Sequence, residues 1–431
     1  MKRRPRVFYG WVVLVAALTI TGAGYALRNI FSVFYPVLVE EFGWERGGTA
    51  LMFSIHVLVY GLTAPLAGSL VDRFDPRVTF SVGACVMGTG IALCSLATAQ
   101  WQFYLLYGVV VAVGVSMTGV SPFNAILSRW FVRRRAIVFG ILSLGFGMSL
   151  VAAPAVQSLI SSFGWQNAFV AIGIFTVAVI VPVSVLLMCR SPNEKGLLPD
   201  GASRPPTKPE VPSAPREISG PRSEWIGTAW TLRRALKTYQ FWLLFLVNFC
   251  MMGVAQHIAI AHQVYFFRDV GYEPMLAATA FSVFGISLMV GYLCGSLSDR
   301  LGRERVFIPG CLTSAAGASL LFLITDASQP WMLFLFAVLF GTGMGAAITS
   351  YFATMADLFQ GRYFGSIQGS VIVGFALGGA ISPWLAGFLH DVTGSYFIAF
   401  VAIVGALLLC AGLMWFIAPG KLRPVPSRAG R

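Results

Sequence analysis

Residues 68–73 read Gly-Ser-Leu-Val-Asp-Arg, and residues 295–300 read Gly-Ser-Leu-Ser-Asp-Arg. A second pair of stretches has nearly the same separation: 145–154 (Gly-Phe-Gly-Met-Ser-Leu-Val-Ala-Ala-Pro) and 374–383 (Gly-Phe-Ala-Leu-Gly-Gly-Ala-Ile-Ser-Pro). The two offsets are 227 and 229 residues. An internal repeat of this length predicts that the chain consists of two related halves.

The composition indicates that most of the chain lies in a lipid bilayer. Of its 431 residues 57% are hydrophobic and 11% are charged, and the mean hydropathy is +0.77. A soluble domain has about 25% charged residues, and a membrane-spanning helix needs about 20 apolar residues. Twelve apolar runs occur, at about 8–38, 48–71, 78–98, 101–128, 136–163, 166–189, 240–266, 275–298, 306–326, 330–356, 363–389 and 395–418. The sequence therefore predicts an all-α membrane protein of twelve transmembrane helices.

The twelve runs form two sets of six, separated by a polar stretch. Residues 190–238 contain eight prolines and no hydrophobic period, which is typical of a linker. We expect an N-terminal six-helix half at 1–189, a cytoplasmic Pro-rich linker at 190–238 and a C-terminal six-helix half at 239–431. Two repeated halves around a midplane site are the plan of many secondary transporters.

Positive charge is distributed unevenly between the two sides of the predicted bundle. Of the 30 Lys and Arg residues, all but Arg28, Arg46 and Arg268 lie in the termini or in loops of one side. Because cytoplasmic loops are rich in Lys and Arg, both termini are predicted to be cytoplasmic in a multi-pass protein of the plasma (inner) membrane. The net charge of +13 then orients the chain against anionic lipid and does not predict nucleic-acid binding.

Several stretches carry a family resemblance. The paired Gly-x-Leu-x-Asp-Arg loops, after the second and eighth runs, resemble the signature loop of the major facilitator superfamily. Within that superfamily, residues 9–13 (Tyr-Gly-Trp-Val-Val) and 130–140 (Trp-Phe-Val-Arg-Arg-Arg-Ala-Ile-Val-Phe-Gly) resemble the monocarboxylate transporters and the bacterial oxalate/formate antiporters. The resemblance covers all twelve helices and implies that a small organic anion reaches a central site by alternating access.

The chain departs from that group in two helices. Animal monocarboxylate transporters carry an Asp and an Arg in helix 8, whereas residues 284–294 here contain no charge. Oxalate exchangers carry one cation in helix 8 and another in helix 11, whereas no Lys or Arg lies between Arg362 and His390. Two fixed cations suit a dianion and one suits a monoanion. The departures therefore count against oxalate exchange and leave the coupling ion open.

Arg28 lies slightly past the middle of the first apolar run. An arginine at that depth costs roughly 2.5–3.5 kcal/mol, so it usually faces a watery cavity or an anionic partner. All 17 Asp and Glu residues fall in loops or at helix ends, which leaves no fixed carboxylate for it. We expect Arg28 to bind a substrate carboxylate through both prongs of its guanidinium. The alternative is capping of helix carbonyls or snorkelling outward.

The seventh run is the repeat counterpart of the first. At the repeat offset, Arg28 corresponds to Gln256 and His257. Gln256 is a predicted substrate ligand, and His257 is the first candidate for proton coupling, because a histidine changes charge near neutral pH. His262, nearer the outer end, is the second candidate. The alternative for both is a neutral ring bonded to a neighbouring helix, a structural role that we expect for His56.

Other polar residues and several glycines are predicted to contact the substrate, to gate the pathway or to let helices approach closely. Additional predicted substrate contacts, with helix–helix hydrogen bonding as the alternative, are Asn124, Tyr351 and Gln368. Predicted gating residues, in the paired cytoplasmic loops, are Asp72, Arg73, Asp299 and Arg300. Small residues that let moving helices approach closely are Gly145, Gly147, Gly374, Gly378 and Gly379.

The combined prediction is a secondary active transporter of small organic anions, a proton-coupled monocarboxylate (lactate- or pyruvate-like) transporter with the proton as coupling ion. The alternatives within transport are an organic anion exchanger and an efflux transporter of amphiphilic compounds. A non-transporting membrane sensor is the alternative of another class, although the linker offers no added signalling domain. We expect no enzyme activity, cofactor or metal, since the residues form no nucleophile–base set and no metal-ligand spacing.

Overall fold

A computed structural model describes residues 8–131, 135–201, 230–359 and 364–417. Within these ranges the regular structure is helical throughout, which confirms the predicted all-α membrane protein. The twelve spans of the described residues are α1 Tyr9–Phe42, α2 Arg46–Arg73, α3 Pro76–Leu96, α4 Gln100–Trp130, α5 135–163, α6 165–187, α7 Tyr239–Asp269, α8 Pro274–Leu301, α9 Arg303–Phe322, α10 Trp331–Leu358, α11 Phe364–Thr393 and α12 Phe397–Ile417. The predicted domain boundaries stay a prediction, and 202–229 of the linker lie outside the described residues.

One continuous apolar segment, Ile137–Leu187, contains two of these spans. A straight helix of its 51 residues would be about 76 Å long, whereas the bilayer core is about 30 Å thick. The segment turns at Gly164, whose φ of 79° and ψ of 162° lie outside the helical region and are open to glycine. The turn separates α5 from α6 close to the predicted break between 163 and 166.

Two spans contain a widened, π-helical segment of eight residues. In α4 the segment is Tyr104–Val111, and in α7 it is Phe249–Gln256. Such segments are rare and occur frequently at functional sites. The first contains Tyr107 and the second ends directly before His257, and both of these residues belong to the candidate site described below.

The first six spans pack against the last six mainly through α2 with α11 and α5 with α8. A Cβ built on Gly147 of α5 would lie 2.8 Å from the carbonyl oxygen of Gly285 in α8, so the two backbones are in close contact. This agrees with the interface expected for Gly147. Gly145 instead faces α1, because its Cβ would lie 3.4 Å from the backbone nitrogen of Gly22.

The two ends of the bundle differ in how tightly the two sets of spans meet. We call the end where α1 begins and α12 ends the termini side, and the opposite end the far side. Towards the far side the Ser32 hydroxyl of α1 donates to the carbonyl oxygen of Ile260 in α7. On the termini side, a Cβ built on Gly140, Gly365 or Gly369 would meet no heavy atom within 4 Å. Within the described residues, the two sets of spans are thus bonded to each other towards the far side, while these three glycines of the termini side face open space.

Candidate functional site

Arg28 and His257 meet in the middle of the bundle. Nη2 of Arg28 in α1 lies 2.7 Å from Nε2 of His257 in α7, although the residues are 229 positions apart. Both side chains are buried, with 1% and 0% of their surface exposed. The internal repeat therefore brings together the residues that the repeat offset paired in the sequence.

The hydrogen bonds of the His257 ring fix where its hydrogen lies. Nδ1 is 2.6 Å from the carbonyl oxygen of Met252, which can only accept, so Nδ1 carries the hydrogen. The guanidinium of Arg28 can only donate, so Nε2 presents its lone pair to Nη2. His257 is therefore a neutral ring in this state. A proton added to Nε2 would point at the guanidinium. Protonation of His257 therefore requires that the contact between Nε2 and Nη2 of Arg28 opens.

Aromatic rings surround the Arg28 guanidinium. Its Cζ atom lies 5.6–5.9 Å from the ring centres of Tyr25, Phe53, Tyr60, Phe146 and Phe375. Each ring face attracts a cation by about 0.5–2 kcal/mol, which offsets part of the cost of burying the charge. None of the ion pairs among the described residues includes Arg28. The described neighbours of the guanidinium are thus polarisable rings, and no described carboxylate pairs with it.

Buried polar atoms at this place lack a hydrogen-bond partner. Among the described residues, Nε of Arg28 has no partner, nor have Nε2 of Gln256, which precedes His257, and Oδ1 of Asn29. The backbone is held firmly, because the Tyr107 hydroxyl donates to the Arg28 carbonyl oxygen over 2.6 Å. Buried donors are nearly always paired. The Nε–H of Arg28, which has no partner among the described residues, is therefore available to a hydrogen-bond acceptor.

Two tyrosines lie on the termini side of the guanidinium. The hydroxyls of Tyr25 in α1 and Tyr60 in α2 are 2.8 Å apart and share a hydrogen bond. Tyr60 and Phe146 are half-buried, whereas Arg28 is fully buried. The path from solvent to Arg28 past Tyr60 and Phe146 is therefore more open than the path from the far side, where the two sets of spans are bonded together.

The structure separates the other predicted substrate ligands from this pair. The Tyr351 hydroxyl donates to the carbonyl oxygen of Leu244 in α7 over 2.9 Å and is fully buried, which matches the helix–helix alternative. Asn124 and Gln368 are half-buried, and no contact among the described residues joins either side chain to Arg28 or His257. Gln256 is the predicted ligand that stands next to the pair in the chain.

His262 and His56, the other two histidines considered from the sequence, lie within hydrogen-bond distance of backbone carbonyl oxygens. His262 places Nε2 2.8 Å from the Pro383 carbonyl oxygen in α11 and Nδ1 3.3 Å from the Tyr396 hydroxyl. His56 places Nδ1 3.0 Å from the carbonyl oxygen of Tyr107. Both arrangements have the form of structural links between helices. For His56 this is the expected role, and for His262 it is the stated alternative.

A link at the far side joins α2 to α7 and α11. The Arg46 guanidinium pairs with both carboxylate oxygens of Asp269, and Cζ lies 4.1 Å above the Tyr265 ring. The backbone nitrogens of Arg46 and Gly47 donate to Asp391 of α11 over 3.1 and 2.6 Å. Asp391 thereby caps the N terminus of a helix in the other set of spans. We call Arg46, Asp269 and Asp391 the far-side latch.

A second ion pair at the far side reinforces this link. Arg268 of α7 reaches both carboxylate oxygens of Glu40 in α1 over 2.9 Å. Sequence reasoning did not assign a role to these residues or to the latch. The sequence feature that could have indicated these ion pairs is the position of Arg46 and Arg268, which are two of the three cations outside the basic side of the chain.

The four predicted gating residues lie at the termini side: Asp72, Arg73, Asp299 and Arg300. Asp299 accepts from Arg303 over 2.5 Å, and the same guanidinium donates to Asp357 of α10 over 2.8 Å. Asp299 is therefore tied within the last six spans, through an arginine that sequence reasoning missed. Arg73 and Arg300 are exposed, and the Asp72 side chain lies outside the described residues.

Comparison with known proteins agrees with this architecture. The chain matches the family model described as Major Facilitator Superfamily over residues 14–294 and 244–431. It is 26% identical to rat Monocarboxylate transporter 13 over 405 residues, which cover 93% of this chain and 87% of the relative. It is also 26% identical to human Monocarboxylate transporter 2 over 416 residues, covering 95% of this chain and 85% of that protein.

Solved structures of the same fold exist. A bacterial homologue of the human lysosomal transporter Spinster, inward-facing and occupied, has a TM-score of 0.70 and 17% identity, and covers 98% of this chain and 100% of that chain. The same homologue, inward-facing and unoccupied, gives a TM-score of 0.67 at 16% identity, with 97% of each chain covered. At these identities the likeness extends to the fold alone.

Proposed function

This chain belongs to the Major Facilitator Superfamily, and we propose that it carries a small monocarboxylate across the membrane by alternating access, together with a proton. It is a multi-pass membrane protein of a family of transporters, not of enzymes. The observation that carries the proposal is the buried 2.7 Å contact between Arg28 and His257, one residue from each set of six spans.

Arg28 is the proposed anchor for the substrate carboxylate. Within the part of the chain that the structure describes, its Nε–H is buried without a partner, and the partner of Nη2 is a neutral imidazole ring. A carboxylate that takes both positions makes two charge-assisted hydrogen bonds, which are about twice as strong as neutral ones. It also supplies the negative charge that the surrounding aromatic rings do not. Gln256 Nε2 is the further unpaired donor proposed to bind the substrate.

One guanidinium favours a monoanion over a dianion. The other Lys and Arg residues of the described spans lie near the span ends, where Arg46, Arg268 and Arg303 are paired with carboxylates. A second carboxylate in the centre would therefore be buried without a partner, which costs several kcal/mol. Asn124, Tyr351 and Gln368 are not part of the proposed contact set in this state, whereas Gln256 is.

His257 is the proposed proton-coupling residue. Protonation of Nε2 places a second positive charge beside Arg28, which is unfavourable in a buried site. A carboxylate bound between the two cations offsets this repulsion, because it accepts hydrogen bonds from the guanidinium and from the imidazolium. Anion binding and proton binding at this pair are thus each strengthened by the other, which is the requirement for symport.

The same contact supports net transport over obligatory exchange. Without substrate, the lone pair of His257 Nε2 satisfies one donor of Arg28, so the empty carrier does not bury a wholly unpaired guanidinium. An empty carrier of this kind can return without a counter-substrate. Organic anion exchange remains the alternative outcome, and it predicts no accumulation under a proton gradient alone.

Alternating access is proposed to exchange the closed far side for a closed termini side. The far-side latch and the Arg268–Glu40 pair hold the first spans to the last spans in the present state. Opening the far side requires that these contacts break, while Asp72, Arg73, Asp299 and Arg300 are proposed to act at the opposite end. The basic loops support a cytoplasmic termini side in the plasma (inner) membrane, so the present state would face inward.

Uptake by purified protein in liposomes tests the function. A panel of radiolabelled monocarboxylates, dicarboxylates and amphiphilic cations would be offered with an inward proton gradient and with none. We expect accumulation of a small monocarboxylate above equilibrium with the gradient and simple equilibration without it. Transport of a dicarboxylate or of a cation in preference, or exchange with no effect of pH, would reject the proposal.

A further inference from the structure

The π-helical segment of α7 lies directly against α11. A Cβ built on Gly253 would lie 2.8 Å from Cα of Gly378, so the two backbones touch at this point. The Ser382 hydroxyl of α11 donates to the Gly253 carbonyl oxygen over 2.7 Å. In the same segment, the preceding carbonyl, that of Met252, accepts from Nδ1 of His257. Two consecutive carbonyls of the widened segment thus receive side-chain donors, one from α11 and one from the histidine.

The His257 ring also contacts α11 directly. A Cβ built on Gly379 would lie 3.2 Å from Nδ1 and 3.3 Å from Cε1 of the ring. Both distances are shorter than an ordinary van der Waals contact of a Cβ atom. The same Cβ would lie 2.6 Å from a methyl group of Val57 in α2. Phe375, one turn earlier in α11, packs against the ring at 4.9 Å between centroids. The absence of a side chain at 379 therefore makes room for the imidazole in its present plane.

We propose that Gly379 and Ser382 of α11 are positioning residues, which hold His257 in the neutral tautomer that turns Nε2 towards Arg28. This inference rests on the proposed function, because it assigns the two residues a part in proton coupling and none in contacting the substrate. Ser382 fixes the carbonyl next to the one that binds Nδ1–H. Gly379 fixes the plane of the ring.

The position of these residues ties the histidine to the moving parts of the protein. Gly379 separates the ring from Val57, and α2 and α11 form one of the two main contacts between the sets of spans. When α2 leaves α11, Val57 leaves the space beside Gly379, and Phe53 of α2, 5.8 Å from the ring between centroids, leaves the ring as well. The orientation of Nε2, and with it the acceptance of a proton, then depends on which side of the bundle is closed.

Nitrogen NMR of the histidines tests the positioning without any transport measurement. The chain has four histidines, so [¹⁵N]histidine-labelled protein gives few signals, and the His257→Gln variant assigns those of His257. We expect a neutral His257 with the hydrogen on Nδ1 in the wild type. Ser382→Ala and Gly379→Ala should produce a mixture of both tautomers. A wild-type ring with hydrogen on Nε2, or no change in either variant, would overturn the proposal.

Transport by the same variants tests the consequence. Ser382→Ala and Gly379→Ala should shift the pH midpoint of uptake by about half a unit or more, because each weakens the hold on the Nδ1–H to Met252 hydrogen bond without removing a substrate contact. Counterflow exchange by Ser382→Ala should stay within about threefold of the wild type, since the substrate contacts remain. Ser382→Thr, which keeps a hydroxyl, should restore the wild-type midpoint.

Matched controls separate positioning from general damage. Ser370→Ala removes a hydroxyl of α11 that bonds within its own helix, and Gly405→Ala adds a methyl where no heavy atom lies within 4 Å. Neither should move the midpoint, and equal shifts in the controls would contradict the inference. If the wild type shows no proton coupling at all, the proposed function fails, while the NMR result still decides the positioning of His257.

Discussion

Nη2 of Arg28 donates to Nε2 of His257 over 2.7 Å, across the interface between the first six and the last six spans. The guanidinium is buried among aromatic rings and is outside all ion pairs of the described residues. A neutral histidine thus holds the place that a substrate carboxylate is proposed to take. Variants at Arg28 and His257 and one calorimetric measurement test this arrangement, and variants at the two ends of the bundle test the proposed gating.

Arg28→Ala should abolish measurable carboxylate binding. Loss of one partner from a buried charged contact costs about 2–5 kcal/mol, which weakens the affinity at least about 30-fold. Arg28→Lys should lie between, because the charge remains while the fork is lost. Binding to detergent-solubilised protein measures both, with the exposed Arg233→Ala as control. Wild-type affinity in Arg28→Ala would remove the proposed anchor.

His257→Gln should uncouple transport from the proton. The amide keeps a polar group near Arg28 but does not titrate, so a pH gradient should no longer drive accumulation. Counterflow of labelled against unlabelled substrate should continue. His390→Gln, at the far end of α11, is the control and should behave as wild type. If His257→Gln still concentrates substrate in response to an inward proton gradient, another group carries the proton, with His262 next in line.

Asp391→Asn should loosen the far side. The carboxylate accepts two backbone N–H groups at the start of α2, and replacement by a neutral amide weakens these bonds by about 1–3 kcal/mol in total. Hydrogen–deuterium exchange of the peptides around 46–50 and 388–393 should therefore become faster. Asp326→Asn is a suitable control, because that carboxylate bonds only locally to the Ser328 backbone nitrogen. Equal exchange in wild type and Asp391→Asn would mean that the latch does not hold this end.

Arg303→Ala should slow turnover more than it weakens binding. This guanidinium joins Asp299 to Asp357 at the termini side, far from Arg28, and its loss removes the link between them. We expect a several-fold fall in the maximal rate, with the Michaelis constant within about twofold, since uniform substrate binding is untouched. Asp299→Asn should act in the same direction and more weakly. The exposed Arg305→Ala is the control. A large rise in the Michaelis constant with unchanged rate would argue against gating here.

Hydropathy and the internal repeat were sufficient to predict the fold and the central pair. Apolar runs of about 20 residues specify spanning helices because lipid offers the backbone no other partners. The repeat offset placed Arg28 opposite His257 since the two sets of spans are arranged around a common centre. The apolar runs and the repeat offset can both be read from the whole sequence, so they predict structure without any knowledge of how side chains pack.

Other parts of the site depend on packing and had no local signal. The π-helical segment of α7 has an ordinary apolar sequence, and its widening is stabilised by Ser382 and Gly378 of a distant helix. Asp391 caps a helix that begins 345 residues earlier in the chain. Tyr351 looked like a substrate ligand by its place in the repeat, yet its hydroxyl is occupied by the Leu244 carbonyl oxygen. Such partners are decided by the tertiary structure.

The most direct test of the central claim is the number of protons that bind with each carboxylate. Calorimetric titration of a transported monocarboxylate into the purified protein, in two buffers of different ionisation enthalpy at the same pH, gives that number. With an anion bridging Arg28 and a protonated His257, the wild type should take up about one proton per carboxylate near neutral pH, and His257→Gln should take up none. The account is contradicted if the wild type binds the carboxylate without proton uptake, or if His257→Gln takes up as many protons as the wild type.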